Sequence, residues 1–328
     1  MISEHEILTV CHDLWGARPE QVAFPGGRSR KSILLCVKGQ QYVLSKRKST
    51  ARARLEAEVL RSLSGSGRAP ELVALIEQFV VQGFVSGQRL SQVLHSSSKA
   101  KKEETLAQVV QSILDIQRLG QETGLVNRVP PIGARLGWHN DLADSPARLA
   151  KQMGIHIPSY DPSAVLPLLL PATPVLSKWD ARPGNVIVTE EAHAVWIDWE
   201  HCGVGAPEDD LVWLFADEWT MDCSPACEKA LLALAEGTET QPDSLRNRFI
   251  AKAVCHAAIR LGLMLMRRDR NAQPDEKRQL ALDHVGTTDR HFHSLAKRME
   301  KWADELSEFA SLNPLFRLFE DRLAVNSQ

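Results

Sequence analysis

Cysteine is scarce. The 328-residue chain has six, at positions 11, 36, 202, 223, 227 and 255, too few and too scattered for a disulfide scaffold, which points to a reducing compartment. Charge of one sign is also missing. Lys+Arg 39 against Asp+Glu 41 gives −2, so no global field marks a nucleic-acid or membrane-surface binder. There is no long apolar run. Met1-Ile-Ser-Glu-His-Glu6 places acids where a secretory leader needs bases, and Val165-Leu-Pro-Leu-Leu-Leu170 is far short of a membrane span and broken by Pro167. Internal repeats are absent as well. These absences lead to the expectation of a soluble, cytoplasmic protein with neither nucleic acid nor membrane as partner. What is present is ordinary: 44% hydrophobic and 24% charged residues supply a core, and the length suits two domains or one two-lobed unit.

The hydrophobic pattern changes along the chain. Residues 2–15 have Ile7, Leu8, Cys11, Leu14 and Trp15 at helical spacing. Gln21-Val-Ala-Phe24, Ile33-Leu-Leu-Cys-Val37 and Tyr42-Val-Leu-Ser-Lys46 read as strands separated by turns. A helix over 51–63 ends at Ser64-Gly-Ser-Gly67, and strands follow at 72–76 and 79–85. The first 85 or so residues therefore spell a small antiparallel sheet with one packed helix, and residues 86–328 are mostly helical. Helices are expected over 105–119, 144–153, 245–268 and 290–310, with a β-like island over 175–199. Between Gln21 and Leu55 there is no acid but nine Lys or Arg, a pattern suited to an anion cradle or to a solvated basic face.

The densest chemical signal is Lys178-Trp-Asp-Ala-Arg-Pro-Gly-Asn-Val-Ile-Val188. An Asp and an Asn five positions apart bracket a Pro-Gly turn and lead into an apolar strand. Asp198 follows thirteen residues after Asn185, in Ile197-Asp-Trp-Glu200. Metal-assisted phosphoryl transfer needs such a layout: one carboxylate for the substrate hydroxyl, and an amide oxygen and a second carboxylate for Mg²⁺.

Here the chain resembles the aminoglycoside phosphotransferase/choline kinase-like family over residues ~20 to 220, in order. Asp180-Ala-Arg-Pro-Gly-Asn185 is similar to its catalytic loop, Ile197-Asp-Trp-Glu200 to its metal-binding segment, and Gly205-Ala-Pro-Glu-Asp-Asp-Leu211 to its Gly-Asp-Pro-x-x-Asp-Leu stretch. Pro25-Gly-Gly-Arg-Ser29 resembles the nucleotide-covering loop, Leu55–Leu63 the helix with the ion-pairing Glu, and Phe79–Gly87 the hinge between lobes. The resemblance implies a two-lobed, protein-kinase-like α+β fold. It also implies transfer of the ATP γ-phosphoryl group, with Mg²⁺, to a hydroxyl of an amino sugar, amino alcohol or related metabolite. The alternative is a pseudokinase that binds nucleotide without transfer. Asp180 would be the base or hydroxyl-orienting group, and Asn185 and Asp198 the metal ligands. Gly26, Gly27 and Ser29 would cover the phosphates, the backbone of Gln82 to Phe84 would hold adenine, and Asp210 would brace the catalytic loop.

Three departures bear on this reading. Lys178-Trp179 replaces the family's His-Gly; Lys178 either points inward, lowering the pKa of Asp180, or reaches solvent. Gly205-Ala-Pro207 replaces Gly-Asp-Pro. On the strand, alternation lets only one of Ser45 and Lys46 face ATP, and Lys46 is the expectation. Its helix partner is expected to be Glu56, with Glu58 as alternative, because the two lie about 200° apart around a helix.

Other signals read as structural: Cys223 and Cys227 as thiols rather than a zinc site, His291 and His293 as surface histidines, and Trp196, Trp199 and Trp213 as core, with some indoles walling a substrate pocket. The nine acids between Val204 and Gln241 suit a cationic acceptor, whereas the arginines between 245 and 298 suit an anionic one. Solvated helix faces would explain both.

Overall fold

The computed structural model describes residues 2–25, 27, 31–170, 173–221, 223–238, 241–268 and 275–325. Helix α1 (Glu4–Trp15) opens on a capping box, in which Ser3 and Glu6 satisfy each other's end groups, and closes on Gly16 in the left-handed conformation. Strands β1 (Gln21–Ala23), β2 (Ser32–Val37) and β3 (Gln40–Lys46) follow, then α2 (Thr50–Ser62), β4 (Leu72–Ile76) and β5 (Phe79–Gly83). They form one antiparallel sheet in the order β1-β2-β3-β5-β4.

The two faces of this sheet have different neighbours. Alternation in β2 turns Ile33, Leu35 and Val37 inward, and with Leu44, Phe79 and Val81 they pack under Ile7, Val10 and Cys11 of α1. Full burial of a side chain such as Leu35 or Leu44 contributes about 1.5–3 kcal/mol. Val80 points to the other face and packs against Ala53, Val59 and Leu60 of α2.

The remainder is mainly helical, with two small sheets inserted. Strand β6 (Gln88–Arg89) precedes α3 (Leu90–Ser96), α4 (Lys99–Glu122), α5 (Trp138–Ala143), α6 (Ser145–Gln152) and α7 (Pro162–Leu169). Strands β7 (Val175–Ser177), β8 (Val186–Val188), β9 (Ala194–Trp196) and β10 (Gly203–Gly205) come next, then α8 (Asp209–Phe215), α9 (Ser224–Thr238), α10 (Pro242–Arg268), α11 (Glu276–Ala281), α12 (Asp289–Ala303) and α13 (Asn313–Val325). β10 pairs with β7, and β8 sits between β6 and β9. The architecture is the expected two-lobed α+β arrangement.

Helix α10 is the axis of the helical part and packs against α6, α7, α8, α9 and α12. Among the described residues it is the one helix long and apolar enough to cross a membrane by length and composition, and 78% of its most apolar window is buried in the protein. Several of the acids before it and the cations on it are not on solvated faces. Glu208 pairs with Arg248 and Lys252, Asp209 with Lys252, and Glu218 with Arg260, all buried. Complementary charges that look like opposing surface patches in the sequence meet across α8 and α10. His291 also departs from the surface reading: it is buried, caps α12 through Thr288 and lies edge-on to Trp219. All six cysteines are free thiols.

Candidate active site

The site forms where β7 ends. Trp179 and Asp180 both have φ of 50°, a left-handed conformation that L-residues with bulky side chains adopt only when their surroundings impose it. Asp210, at the start of α8, supplies the constraint. Its carboxylate accepts hydrogen bonds from Ser177 Oγ and the backbone amides of Lys178 and Trp179, each at 2.8 Å. Burial pushes the Asp210 carboxyl up to about 6 even though these three donors favour its charge.

The β8–β9 hairpin carries Asn185 and Asp198, the two candidate oxygen ligands. Val186 pairs with Trp196, and Ile197 N donates to Asn185 O at 3.0 Å, so Asn185 and Asp198 lie at the same end of the hairpin. Asn185 Nδ2 donates to Asp180 Oδ2 and to Asp180 O, both at 2.9 Å. A planar amide that donates to Asp180 presents its oxygen on the opposite side. Asp198 also has a left-handed backbone, φ 62°, and its side chain is 38% exposed. Burial of its surroundings works to raise the Asp198 carboxyl, but the charges of Arg47, Lys178 and His201 outweigh it and hold the group below the usual range.

The strand cation differs from the expectation. Lys46 shares the face of Leu44, beneath α1, and its Nζ meets Glu6 Oε1 at 2.6 Å. Ser45, on the other face, is buried and bonded to Ser32 Oγ at 2.8 Å. The next residue on Ser45's side is Arg47, whose amide extends the ladder by donating to Gln78 O. Its guanidinium, with the residue only 5% exposed, forks onto both oxygens of Glu56 and reaches Asp198 Oδ1 at 2.7 Å and Glu200 Oε1 at 3.4 Å. Glu56 therefore faces the cleft as expected, but its partner is Arg47 and not Lys46. Burial opposes the Arg47 charge, and Glu56, Asp198 and Glu200 more than compensate, so the guanidinium is held charged. Glu58 points the other way, to Arg128 at 2.6 Å.

Lys178 points inward, though not to Asp180. It is fully buried, and its Nζ donates to Asp198 O at 2.8 Å and Trp179 O at 3.3 Å, above the Trp199 ring. It fastens the Trp179-Asp180 turn to the backbone at Asp198.

Two residues of the loop's support carried little sequence signal. Arg182 Nε lies 3.2 Å from Asp180 Oδ1, and its Nη2 donates to Asp283 Oδ2 at 2.9 Å. Asp283 is a hundred residues away and also meets Arg89 Nη1 at 3.5 Å, while Arg89 donates to the Gly184 carbonyl. A Cβ on Gly184 would overlap the Asp283 carboxylate, so glycine is required there for space, not for backbone conformation.

The nucleotide-side candidates are placed as follows. Gly26 and Ser29 lie outside the described residues. Gly27 has φ 85° in a turn, with its amide donated to Phe24 O at 2.9 Å. The amides of Gly83 and Phe84 are donated to Glu71 O and Gln41 O. The Gln82 side chain lies on the α2 face of β5, buried, with Oε1 lacking a hydrogen-bond partner among the described residues.

Trp179 walls two spaces. One is a chamber of about 290 Å³ lined by Trp138, Trp179, Trp213, His256, Lys252 and Asp209 among others. Trp179 sits 5.9 Å from Trp138 and 5.5 Å from Trp213 between ring centroids, and Trp213 packs on His256 at 4.2 Å. Trp196 and Trp199 are core, as expected, whereas Trp213 is a pocket wall. The second space is a groove of about 1240 Å³ that shares Ile132, Trp138 and Trp179 with the chamber.

No curated protein matches the sequence significantly. Among solved structures, the fold is shared with an aminoglycoside 2'-phosphotransferase-IIIa in its GDP complex (17% identity, TM-score 0.55, covering 89% of this chain and 97% of that one). It is also shared with a macrolide 2'-phosphotransferase from Brachybacterium faecium (18%, 0.53, 86% and 98%). A choline kinase from Streptococcus pneumoniae is similar too (13%, 0.52, 92% and 99%). Residues 20–246, more than half of the chain, match the phosphotransferase enzyme family (APH), and the protein belongs to that family.

Proposed function

We propose that the protein transfers the γ-phosphoryl group of ATP to a hydroxyl of a small molecule held in the indole-lined chamber. In this reading residues 1–85 cover the nucleotide, and residues 86–328 carry the catalytic loop and the acceptor. The observation that carries it is the loop itself: a strained Trp179-Asp180 turn, fixed by three hydrogen bonds to Asp210, in which Asp180 is bonded to Asn185 and the preceding Trp179 lines the chamber.

The donor set fits a hard divalent cation. Asn185 offers an amide oxygen, Asp198 a carboxylate, and the latter already attracts a guanidinium. Asn185 and Asp198 would hold Mg²⁺, which would supply charge neutralisation to the phosphates. The chain's own groups do the rest. Arg47, held by Glu56, presents a permanent positive charge to the phosphates. Gln82 Oε1 offers a buried acceptor toward the nucleotide side. Asp180 orients the acceptor hydroxyl and takes its proton as the oxygen attacks, and Arg182 holds the carboxylate in place. Positioning and fixed charge supply most of the acceleration. An amino sugar or amino alcohol is the acceptor class that the family resemblance suggests.

A second reading is favoured by one contact. Arg47 Nη1 lies 2.7 Å from Asp198 Oδ1, so a built-in cation sits on the metal carboxylate, as in a nucleotide-binding module that no longer transfers phosphate. Incubation with Mg·ATP and a metabolite extract, read by mass spectrometry, separates the two. New phosphorylated species that disappear in Asp180→Ala support transfer, and ATP binding with no such species supports the module.

A further inference from the structure

The acceptor space has an unusual charge balance. Among the described residues Asp209 is the one acid lining the chamber, and its carboxylate is taken by Lys252 at 2.6 Å and by the Ala206 amide. Among the described residues Glu58 is the one acid lining the adjoining groove, and it is taken by Arg128. The chamber also carries Lys252 and Arg260, both matched by buried acids. Neither space offers a spare carboxylate among the described residues.

The groove is cationic. Arg52, Arg54, Arg61, Arg128 and Arg135 line it against Glu58. Arg135 pairs with Asp141, and Arg52 donates to the Glu200 carbonyl, which leaves its charge unbalanced. Among the described residues Arg54 and Arg61 have no acidic partner, and both project from α2 into the groove. Two of these arginines, 52 and 54, belong to the acid-free stretch between Gln21 and Leu55.

We infer that the acceptor is an alcohol with an apolar body and an anionic group, carboxylate or phosphate: the body lies among Trp138, Trp179 and Trp213, and the anion extends into the arginine groove. The inference rests on the phosphotransfer reading for the role of the hydroxyl, but its charge preference does not. A polycationic amino sugar would find no counter-charge in either space and would face unbalanced guanidiniums. A flat or alicyclic body suits three indoles, and an anion suits forked guanidinium donors. A small molecule is favoured over a nucleic acid because the chamber has a volume of about 290 Å³ and shares its Ile132, Trp138 and Trp179 wall with the groove.

The test uses three matched probes: para-(hydroxymethyl)benzoate, its methyl ester and para-(aminomethyl)benzyl alcohol. Binding to the full chain is measured by ligand-observed NMR titration at low and high salt. The carboxylate should bind at least about tenfold more tightly than the ester or the amine, with the advantage shrinking in salt. Arg54→Ala/Arg61→Ala should remove the advantage and leave ester binding unchanged, while Lys101→Ala, on α4 outside the groove, should change nothing. Equal binding, preference for the amine, or no binding of any probe would overturn the inference. Tight binding of a single-stranded RNA, lost in the double variant without carboxylate discrimination, would overturn it too. Mg·ATP-dependent phosphorylation separates this inference from the reading beneath it. Carboxylate preference without transfer keeps the inference and removes the kinase; transfer to the amine with no carboxylate preference does the reverse.

Discussion

Replacing Arg47 should cost far more than replacing its neighbour Lys46, although the two look interchangeable on a strand. Lys46 and Glu6 form a single ion pair with side chains about a quarter exposed, at 26% and 27%, and such a pair contributes roughly 0–1 kcal/mol. Arg47 is 4% exposed at its side chain and Glu56 0%, with both Glu56 oxygens bound to the guanidinium. Arg47→Ala leaves a buried carboxylate without its counter-charge, at a cost of about 3–5 kcal/mol. Urea unfolding of wild type, Lys46→Ala and Arg47→Ala reads the difference directly. The double variant Arg47→Met/Glu56→Leu keeps the volume and removes both charges, so it should recover most of the lost stability. It should not recover phosphotransfer, since the cation facing Asp198 is gone. The reasoning is refuted if Arg47→Ala loses less than about 1 kcal/mol, if Lys46→Ala loses as much, or if the apolar pair restores turnover.

Two further outcomes follow from the same frame. Burial, then the charges of Arg260 and Arg182, holds the His256 imidazole down to about 3, so the unfolded chain takes up a proton that the native state refuses. The stability His256 contributes is complete above its ordinary pKa of about 6.5 and is lost as pH falls toward 3; at pH 5 the loss is about 2 kcal/mol. His256→Phe keeps the packing on Trp213 and should flatten the stability difference between pH 8 and pH 5 by that amount; unchanged slopes would show that this imidazole is not the source. Gly184→Ala drives a methyl into Asp283 and should lower kcat at least about tenfold while the affinity for metal-free ATP changes little, because the displaced loop carries Asp180 and Asn185 and not the nucleotide-covering sheet. Steady-state kinetics and nucleotide titration check it, and an unaffected kcat would show that the Asp283 contact does not hold the loop in its active shape.

Much of this arrangement was legible before any coordinates. The alternation of Ile33, Leu35 and Val37, and the helical spacing of residues 51–63, define the sheet and its helix because strand and helix periods differ so plainly. Asp180 and Asn185 stand five positions apart and a hairpin joins Asn185 to Asp198, so the Asp180–Asn185 bond and the placing of Asn185 and Asp198 at one hairpin end follow from short-range geometry. The cation did not yield to the same logic. The strand leaves the sheet at Lys46, and only knowing that α1 covers the Leu44 face tells which neighbour turns to the cleft. Glu6, forty residues earlier, decides it by taking Lys46. Asp283 gave no signal at all, since its role depends on the return of the chain after α11 to the far side of the loop. The acids of α8 and the cations of α10 looked like two surfaces because a sequence does not show which charged faces are pressed together.

The most direct measurement is a single-turnover one: ³¹P NMR of the protein with Mg·ATP and its phosphate acceptor, comparing wild type with Asp180→Asn, which preserves the shape of the loop. The account predicts a γ-phosphoryl ester forming on the acceptor with wild type, and intact bound ATP with the variant. Ester formation at an undiminished rate in Asp180→Asn would contradict it.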